Sequence, residues 1–278
     1  MALVDLDSIL GCLAVEQTGP TTWTAPNIEM DYRRIFGGQL LAQAIAVATA
    51  SADGKSVKSL SCLVPREGSL DEPFAFELED SQTGRAFAAR RMTAAQNGKV
   101  FFLGQASMHV SEDGHEHQDA APDVGSPEAA TPEDMGMIPW ETRVVGGVDL
   151  QDPTVAPADY AFWTRVGHVG LGDPSTPMGL VVHQALAAYA TDLTVIGTAM
   201  RPLEGISQAD AHVSLHTAVT AHHLWFHRPF RIDDWCLVSQ HVPSVAGARA
   251  FGHGHIHDAA GNLVASFAQE SMIRPMPQ

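Results

Sequence analysis

The chain repeats part of its own sequence, and this repeat constrains its fold more than any other feature. The segment 85–109, RAFAARRMTAAQNGKVFFLGQASMH, resembles the segment 249–273, RAFGHGHIHDAAGNLVASFAQESMI. Identical residues recur at one spacing of 164 positions: Arg85/Arg249, Phe87/Phe251, Gln105/Gln269, Ser107/Ser271 and Met108/Met272. Each copy has two extended stretches joined by a glycine-containing turn, which is the pattern of a β-hairpin. The repeat therefore predicts two similar halves.

A helix is predicted ahead of the hairpin in each half. The segments Gly37–Ala50 (GGQLLAQAIAVATA) and 177–192 (PMGLVVHQALAAYATD) are rich in alanine and apolar around most of the helix circumference. A helix of this kind must be buried on several sides, as it is when a sheet wraps around it. The glycines near the start of each helix either let backbone N–H groups approach a ligand or serve tight packing alone. We predict an α+β fold in which each half wraps a long antiparallel sheet around one central helix.

An acidic segment rich in proline, alanine and glycine separates the two halves. It begins SEDGHEHQDAAPDVGSPEAATPEDMGMIP after residue 110 and has no hydrophobic periodicity, as is typical of a surface linker. The predicted organisation is an N-terminal half at 1–110, a linker at 111–158 and a C-terminal half at 159–278. The N-terminal half also starts with an amphipathic helix. Its apolar stripe contains Leu6, Ile9, Leu10 and Leu13.

The charge balance argues against two classes of main partner. The chain has 32 acidic and 16 basic residues, a formal net charge of −16, which disfavours nucleic acid and anionic membranes. Its three cysteines lie far apart without C-x-x-C spacing, which favours a reducing compartment. The N-terminus lacks a basic signal-peptide region, and the longest apolar run, 40–50, is too short to span a bilayer. We expect a cytoplasmic protein without a membrane span.

Histidines are concentrated in two stretches, which raises the question of a metal site. The segment 253–257, HGHIH, places three imidazoles on one face of a strand, an arrangement that suits zinc. No cysteine or carboxylate constellation accompanies them, so we expect exposed strand histidines and no bound metal. In the segment 216–230, HTAVTAHHLWFHRPF, His222 and His223 are adjacent. Their side chains should therefore point to opposite faces of a strand.

Six stretches of the sequence together resemble the acyl-CoA thioesterase II family. They are IFGGQLLAQAI, ARRMTAAQNGK, GHEHQ, HQALAAYATDL, LWFHRPF and GNLVASFAQESMIR, in family order over nearly the whole chain. The resemblance implies a double hotdog fold, which the tandem repeat supports independently. It also implies hydrolysis of medium- or long-chain fatty acyl-CoA thioesters to a free acid and coenzyme A, without a metal or organic cofactor. Self-association into a dimer or a larger homo-oligomer is expected on the same ground.

The resemblance further implies that a water molecule, held by three side chains, attacks the thioester. In the family these are an Asp at the end of the second central helix, a Ser or Thr on the following strand and a Gln on the last strand. The matching Asp is Asp192 and the matching Gln is Gln269. A carboxylate can accept the water proton, and an amide can orient the water without competing for that proton. In the structural alternative, Gln269 and its repeat partner Gln105 satisfy buried backbone groups.

The sequence departs from the family where the hydroxyl is expected. In the family pattern S/T-x-D-H-x-x-W-F-H, the Ser/Thr and Asp positions are occupied here by Val219 and Ala221. Thr220 would point to the opposite face of a regular strand, but a one-residue bulge would turn it inward, and bulges occur beside active sites. We therefore predict Thr220 as the third catalytic residue.

Two alternatives to a catalytic Thr220 stay open. Asp192 and Gln269 act alone, or the chain is a weakly active or inactive relative that binds acyl-CoA. A second departure affects the expected substrate pocket, because Ser61 and Leu63 stand where relatives tend to have His and Tyr.

Overall fold

The computed structural model describes residues 3–30, 32, 34–167 and 170–276. Its α-helices are α1 Leu6–Gly11, α2 Gly37–Ala50, α3 Pro177–Thr191 and α4 Val195–Met200. Its strands are β1 Glu16–Gln17, β2 Thr22–Thr24, β3 Ser56–Leu63, β4 Ala75–Thr83, β5 Phe87–Gln96, β6 Lys99–His109, β7 Thr131–Pro132, β8 Glu141–Val144, β9 Asp159–Arg165, β10 Leu215–Phe226, β11 Cys236–Ala246, β12 Arg249–Asp258 and β13 Leu263–Pro275.

All of these strands belong to one antiparallel sheet, in which two similar half-sheets meet at the centre. The strand order among the described residues is β1-β2-β4-β5-β6-β3-β10-β13-β12-β11-β9-β8-β7. Outward from the central β3–β10 pair, the order β3-β6-β5-β4 on one side repeats as β10-β13-β12-β11 on the other. This is the double hotdog arrangement, so the predicted fold is confirmed.

The helices α2 and α3 form the centre of the core. Every residue of α2 from Gly38 to Thr49 is buried, as are most residues of α3. Both helices are apolar on all sides because both are covered on all sides. Together with α4, α3 forms an apolar helical run, Pro177–Met200, long enough to cross a membrane by length and composition alone. In the apolar 18-residue window of that run, 78% is buried inside the protein, which is the pattern of a core helix.

Part of the segment predicted as a linker is folded into the sheet. Strand β7 pairs with β8, and β8 pairs with β9, so this segment extends one edge of the C-terminal half-sheet. Trp140, just before β8, is 8% exposed and its indole N–H donates a hydrogen bond to the hydroxyl of Thr164. The linker prediction is therefore wrong for these residues. Short strands between prolines and glycines have no alternating pattern long enough to be recognised.

The two halves are equivalent in space, but in a register that differs from the sequence repeat. Strands β3 and β10 each contain a bulge, at Lys58 and at Thr220. Two residues beyond the bulge, Leu60 pairs with Ala106 in the first half, and His222 pairs with Gln269 in the second. These two cross-strand pairs therefore occupy equivalent places in the two half-sheets.

The predicted equivalence of Gln105 and Gln269 is wrong. Gln105 is exposed on the outer face of β6, whereas Gln269 is fully buried on the inner face of β13. Because side chains alternate between the faces of a strand, a difference of one residue in register reverses the face. Gln105 consequently satisfies no buried backbone group, contrary to the alternative that the repeat suggested.

Candidate active site

A cavity of about 320 Å³ lies where the two halves of the molecule meet. The N-terminal half contributes the start of α2 and the loop 64–68, and the C-terminal half contributes the junction of α3 with α4 and the bulged part of β10. Asp192, Val219 and Thr220 line this cavity together with apolar side chains. A larger cavity of about 520 Å³ lies on the outer face of the sheet beside His241 and His253. Asp192, Val219 and Thr220 do not line that larger cavity.

Asp192 caps the C-terminus of α3 and is 5% exposed. Its carboxylate lies against the first residue of α2, because a Cβ atom added to Gly37 would be 2.6 Å from Oδ2. The N-cap residue of α2, Phe36, provides no side-chain cap. The positive end of the α2 dipole therefore faces the carboxylate directly and offsets the unfavourable dipole of α3.

One oxygen of the Asp192 carboxylate has no hydrogen-bond partner among the described residues. Its Oδ1 atom is buried, and it accepts no hydrogen bond from any residue that the structure describes. A buried carboxylate oxygen is normally hydrogen-bonded, so the unpaired Oδ1 of a residue that also lines the cavity calls for a functional explanation. A carboxylate that lines a cavity can act as a general base toward a water molecule there.

Gln269, His222 and Asp192 form a buried cluster, in which His222 lies between the other two side chains. Gln269 itself is not among the residues that line the cavity. Its Nε2 donates a hydrogen bond to Ser271 Oγ at 2.8 Å, and its Oε1 lies 3.1 Å from Nδ1 of His222. The same Nδ1 atom is 3.6 Å from Oδ1 of Asp192. One of the two amide hydrogens of Gln269 is used by Ser271, so the second remains available.

His222 belongs to this cluster, although the sequence did not identify it as a site residue. It is 1% exposed, and its Nε2 atom lies 3.1 Å from the hydroxyl of Thr191. His223 lies on the other face of β10 and is only partly buried, as the adjacency of the two histidines predicted. The missing information was which of the two faces inward. A signal was present in the match of His222 to the family pattern.

Strand β10 contains the predicted bulge, and Thr220 is the extra residue. The pairing of β10 with β13 shifts register between Val219 and Ala221. The hydroxyl of Thr220 lies 3.1 Å from both the backbone oxygen and the Oε1 atom of Glu270, and donates to either. Its lone pairs remain able to accept a hydrogen bond from water in the cavity. Val219 also lines the cavity, but without a hydroxyl.

Comparison with known proteins agrees with this fold. A family model described as acyl-CoA thioesterase N-terminal domain matches residues 26–109, and one described as acyl-CoA thioesterase matches residues 171–272. Human acyl-coenzyme A thioesterase 8 is 31% identical over 273 residues, which cover 88% of this chain and 82% of that protein. The chain belongs to the acyl-CoA thioesterase family. This thioesterase accordingly hydrolyses acyl-CoA thioesters, as the sequence resemblance implied.

Bacterial relatives extend the match over nearly the whole of this thioesterase. Acyl-CoA thioesterase 2 of Haemophilus influenzae is 28% identical, with 97% of this chain and 98% of that protein covered. The crystal structure of an acyl-CoA thioesterase II from Mycobacterium marinum is 31% identical with a TM-score of 0.79, covering 97% of this chain and 98% of that one. A TesB protein from Mycobacterium avium is 28% identical with a TM-score of 0.82, covering 98% and 100% of the two chains.

Two further titratable groups of this thioesterase line the cavity. Burial raises the pKa of the Tyr32 phenol above its usual value, and burial lowers the pKa of the His212 imidazole. Both side chains are therefore uncharged at neutral pH. Near the same cavity, Arg34 forms an ion pair with Glu67 at 2.6 Å.

The remaining histidines that the structure describes are not grouped as metal ligands. In the part of the chain that the structure describes, no group of three or more His, Cys, Asp or Glu side chains is arranged to hold a metal ion. Of the HGHIH histidines, His255 is exposed and His253 is partly buried, but His257 is 5% exposed. The prediction of exposure is wrong for His257, because the register of β12 shifts between Ile256 and His257.

Proposed function

We propose that this thioesterase hydrolyses medium- or long-chain acyl-CoA by attack of a water molecule that Asp192 deprotonates and Gln269 orients. The observation that carries this mechanism is the Asp192 carboxylate, which lines the cavity at the start of α2 while its buried Oδ1 lies 3.6 Å from the His222 ring that contacts Gln269. A water bound to the Asp192 carboxylate from the cavity gives its proton to that carboxylate as the water oxygen attacks the thioester carbon. The tetrahedral intermediate then releases the coenzyme A thiolate and the free acid.

The N-terminus of α2 is the natural partner of the thioester carbonyl. Negative charge develops on the carbonyl oxygen during attack, and oriented N–H groups at a helix N-terminus stabilise such charge. Gly37 opens α2 beside Asp192 without a side chain in the way. The acyl chain then lies along the apolar part of the cavity wall. That wall contains Phe36, Leu40, Leu193, Ile196 and Met272.

A covalent mechanism through a cysteine is not supported by the site. Cys62 is the cluster's neighbouring thiol, and it donates a hydrogen bond to the backbone oxygen of His222 at 3.2 Å. Burial raises the pKa of this thiol to about 12. The thiolate, which is the nucleophilic form, is therefore scarce at neutral pH. Attack by water requires no such group.

Thr220 completes the proposed site as an acceptor. While its hydroxyl hydrogen points to Glu270, its oxygen can accept the hydrogen of the attacking water that Asp192 does not take. A bulge also places the carbonyl of Thr220 within 2.9 Å of the backbone N–H of Val64, which ties the bulged residue to the N-terminal half. Both contacts hold Thr220 in one orientation at the cavity wall.

One observation favours a second candidate function. Val219 occupies the wall position where the family pattern has a hydroxyl. A chain that lacks one water-holding group can bind acyl-CoA and hydrolyse it weakly or not at all. Loss of one positioned hydrogen bond typically slows a reaction by about 10²- to 10³-fold without abolishing it.

The two functions are separated by an assay of thiol release with acyl-CoA substrates of increasing chain length. The proposed mechanism predicts thiol release that is lost in the Asp192→Asn variant, while that variant still binds acyl-CoA. Binding by the unmodified protein without thiol release would establish the second function instead. Full activity in Asp192→Asn would overturn the proposed mechanism.

A further inference from the structure

His222 is held at three points inside the cluster. Its Nδ1 atom faces Oε1 of Gln269 at 3.1 Å, its Nε2 atom faces the Thr191 hydroxyl at 3.1 Å, and its ring stacks on Phe267 at a centroid distance of 6.1 Å. Nδ1 also lies 3.6 Å from Oδ1 of Asp192. A ring with both nitrogens and one face in contact has a single orientation.

The bulge at Thr220 is what turns His222 into the core. Leu215 and Thr217 are buried before the bulge, whereas His222, Leu224 and Phe226 are buried after it. Without the extra residue, the alternation of the strand would place position 222 on the outer face. The bulge therefore serves two side chains: it brings Thr220 to the cavity and His222 to the carboxylate.

The hotdog scaffold does not itself require a histidine at this position. The equivalent residue of the N-terminal half is Leu60, which is fully buried opposite Ala106. An apolar side chain thus fills the same place in the same fold. Burying an imidazole and an amide instead is costly unless every polar atom is paired, so the polar pair in the C-terminal half calls for a functional reason.

The hydrogen-bond partners determine where the imidazole carries its proton. Nδ1 faces two acceptors, the carbonyl oxygen of the Gln269 amide and the carboxylate oxygen of Asp192, so it carries a hydrogen. In this tautomer the Thr191 hydroxyl, which lies 2.7 Å from the backbone oxygen of Ala188, donates its hydrogen to Nε2 instead. The Nδ1 hydrogen points to Gln269, because 3.6 Å to Asp192 is longer than a hydrogen bond. Gln269 is held from the other side by Ser271, at 2.8 Å from Nε2. Its amide plane is therefore fixed at both ends.

We propose that His222 is a positioning residue for thioester hydrolysis. Its Nδ1–H fixes the Gln269 amide so that the free amide hydrogen points to the attacking water, and it places a donor beside the Asp192 carboxylate. This role exists only if the water mechanism proposed above operates.

A matched pair of substitutions tests the role of Nδ1. Asn in place of His222 puts its amide nitrogen near the position of Nδ1, whereas Gln puts its amide nitrogen near the position of Nε2 and is closer to histidine in size. A residue needed only for volume and polarity is therefore replaced better by Gln. A donor needed at Nδ1 is replaced better by Asn. We expect His222→Gln to lower kcat by about 100-fold and His222→Asn to retain most of it, with KM little changed in both.

A double-mutant cycle with Gln269 tests the route of the effect. If His222 acts through Gln269, His222→Gln costs little further kcat in a Gln269→Leu background, so the two losses do not add. Additive losses, or a His222→Gln variant as active as the unmodified protein, would overturn the positioning role. A greater loss in His222→Asn than in His222→Gln would overturn it as well.

Asp192→Asn, assayed alongside, distinguishes this role from the mechanism on which it depends. An inactive Asp192→Asn together with a fully active His222→Gln rejects only the role of His222. An active Asp192→Asn rejects both. Thermal unfolding of each variant shows whether a loss of kcat occurs in a folded protein.

Discussion

The two halves of the molecule share one architecture and differ at the end of the central helix. The last turn of α2 is capped by Ser51 and that of α3 by Asp192. In the N-terminal half, Arg90 covers the helix end, donating hydrogen bonds to the Ser51 hydroxyl at 3.1 Å and to its backbone oxygen at 3.0 Å. In the C-terminal half, the carboxylate of Asp192 is instead left open to the cavity.

The strands opposite the helix end also differ in polarity between the two halves. The N-terminal half has an apolar group there, comprising Leu60, Ala106 and Met108. The C-terminal half has a polar cluster in the equivalent places, comprising His222, Gln269 and Ser271. The N-terminal half thus has a closed helix end and contributes the N-terminus of α2 to the site. The C-terminal half contributes the reactive groups. The hotdog fold needs no polar cluster, so the cluster reflects chemistry rather than stability.

The largest expected effect comes from substituting Asp192, with its counterpart Ser51 as the control. Asp192→Asn removes the general base without changing its shape, and we expect kcat for thiol release to fall by about 10³- to 10⁴-fold. Ser51→Ala, at the equivalent helix end, should leave kcat unchanged and lower the free energy of unfolding by about 1 kcal/mol, because Arg90 loses one hydrogen bond. A kcat for Asp192→Asn within tenfold of the unmodified value would mean that the carboxylate is not the base.

The second prediction uses the two glutamines that the sequence repeat aligns. Gln269→Leu removes the orienting amide from the cluster, and we expect kcat to fall by about 10²- to 10³-fold. Gln105→Leu changes the corresponding residue of the repeat, which lies exposed on the outer face of β6, and should leave kcat within about twofold, as surface substitutions usually do. Steady-state assays of both variants decide the matter, and equal effects would contradict the assignment of Gln269 to the site.

The same pair of glutamines shows which structural features can be predicted from the sequence and which cannot. The repeat, the bounds of α2, the hairpins and the placement of Asp192 at a helix end follow from local patterns. The face that each strand presents does not, because it depends on bulges and on register with neighbouring strands. For that reason Gln105 and Gln269 occupy opposite faces despite matching positions in the repeat.

The inward orientation of His222 could not be predicted from the sequence, for the same physical reason. The bulge at Thr220 was predictable only as a hypothesis needed to bring a hydroxyl inward, and its effect on His222 follows from the shifted alternation. The approach of the α2 N-terminus to Asp192 is a contact between residues 155 positions apart in sequence. No local pattern encodes such a contact, because the packing of the two halves creates it.

The third prediction concerns the contribution of the N-terminal half to the site. A Cβ atom at Gly37 would lie 2.6 Å from Oδ2 and 2.8 Å from Oδ1 of Asp192. The carboxylate is the end of a flexible side chain, so Gly37→Ala should displace it at little cost in stability. We expect kcat to fall by about 10²-fold through this misplacement. Gly11→Ala, where an added Cβ meets nothing within 4 Å, is the control, and equal kcat in both variants would show that α2 does not support Asp192.

The smallest expected effect belongs to Thr220. The corresponding bulge residue of the N-terminal half is Lys58, where the helix end is closed and no hydroxyl is needed. Thr220→Val removes the hydroxyl but keeps the shape, and we expect kcat to fall by about 5- to 10-fold, the typical value of one neutral hydrogen bond. Thr220→Ser retains the hydroxyl and should retain the rate, with kcat measured as thiol release. If Thr220→Val hydrolyses acyl-CoA at the unmodified rate, the bulge serves His222 alone, and Asp192 and Gln269 hold the water without a third side chain.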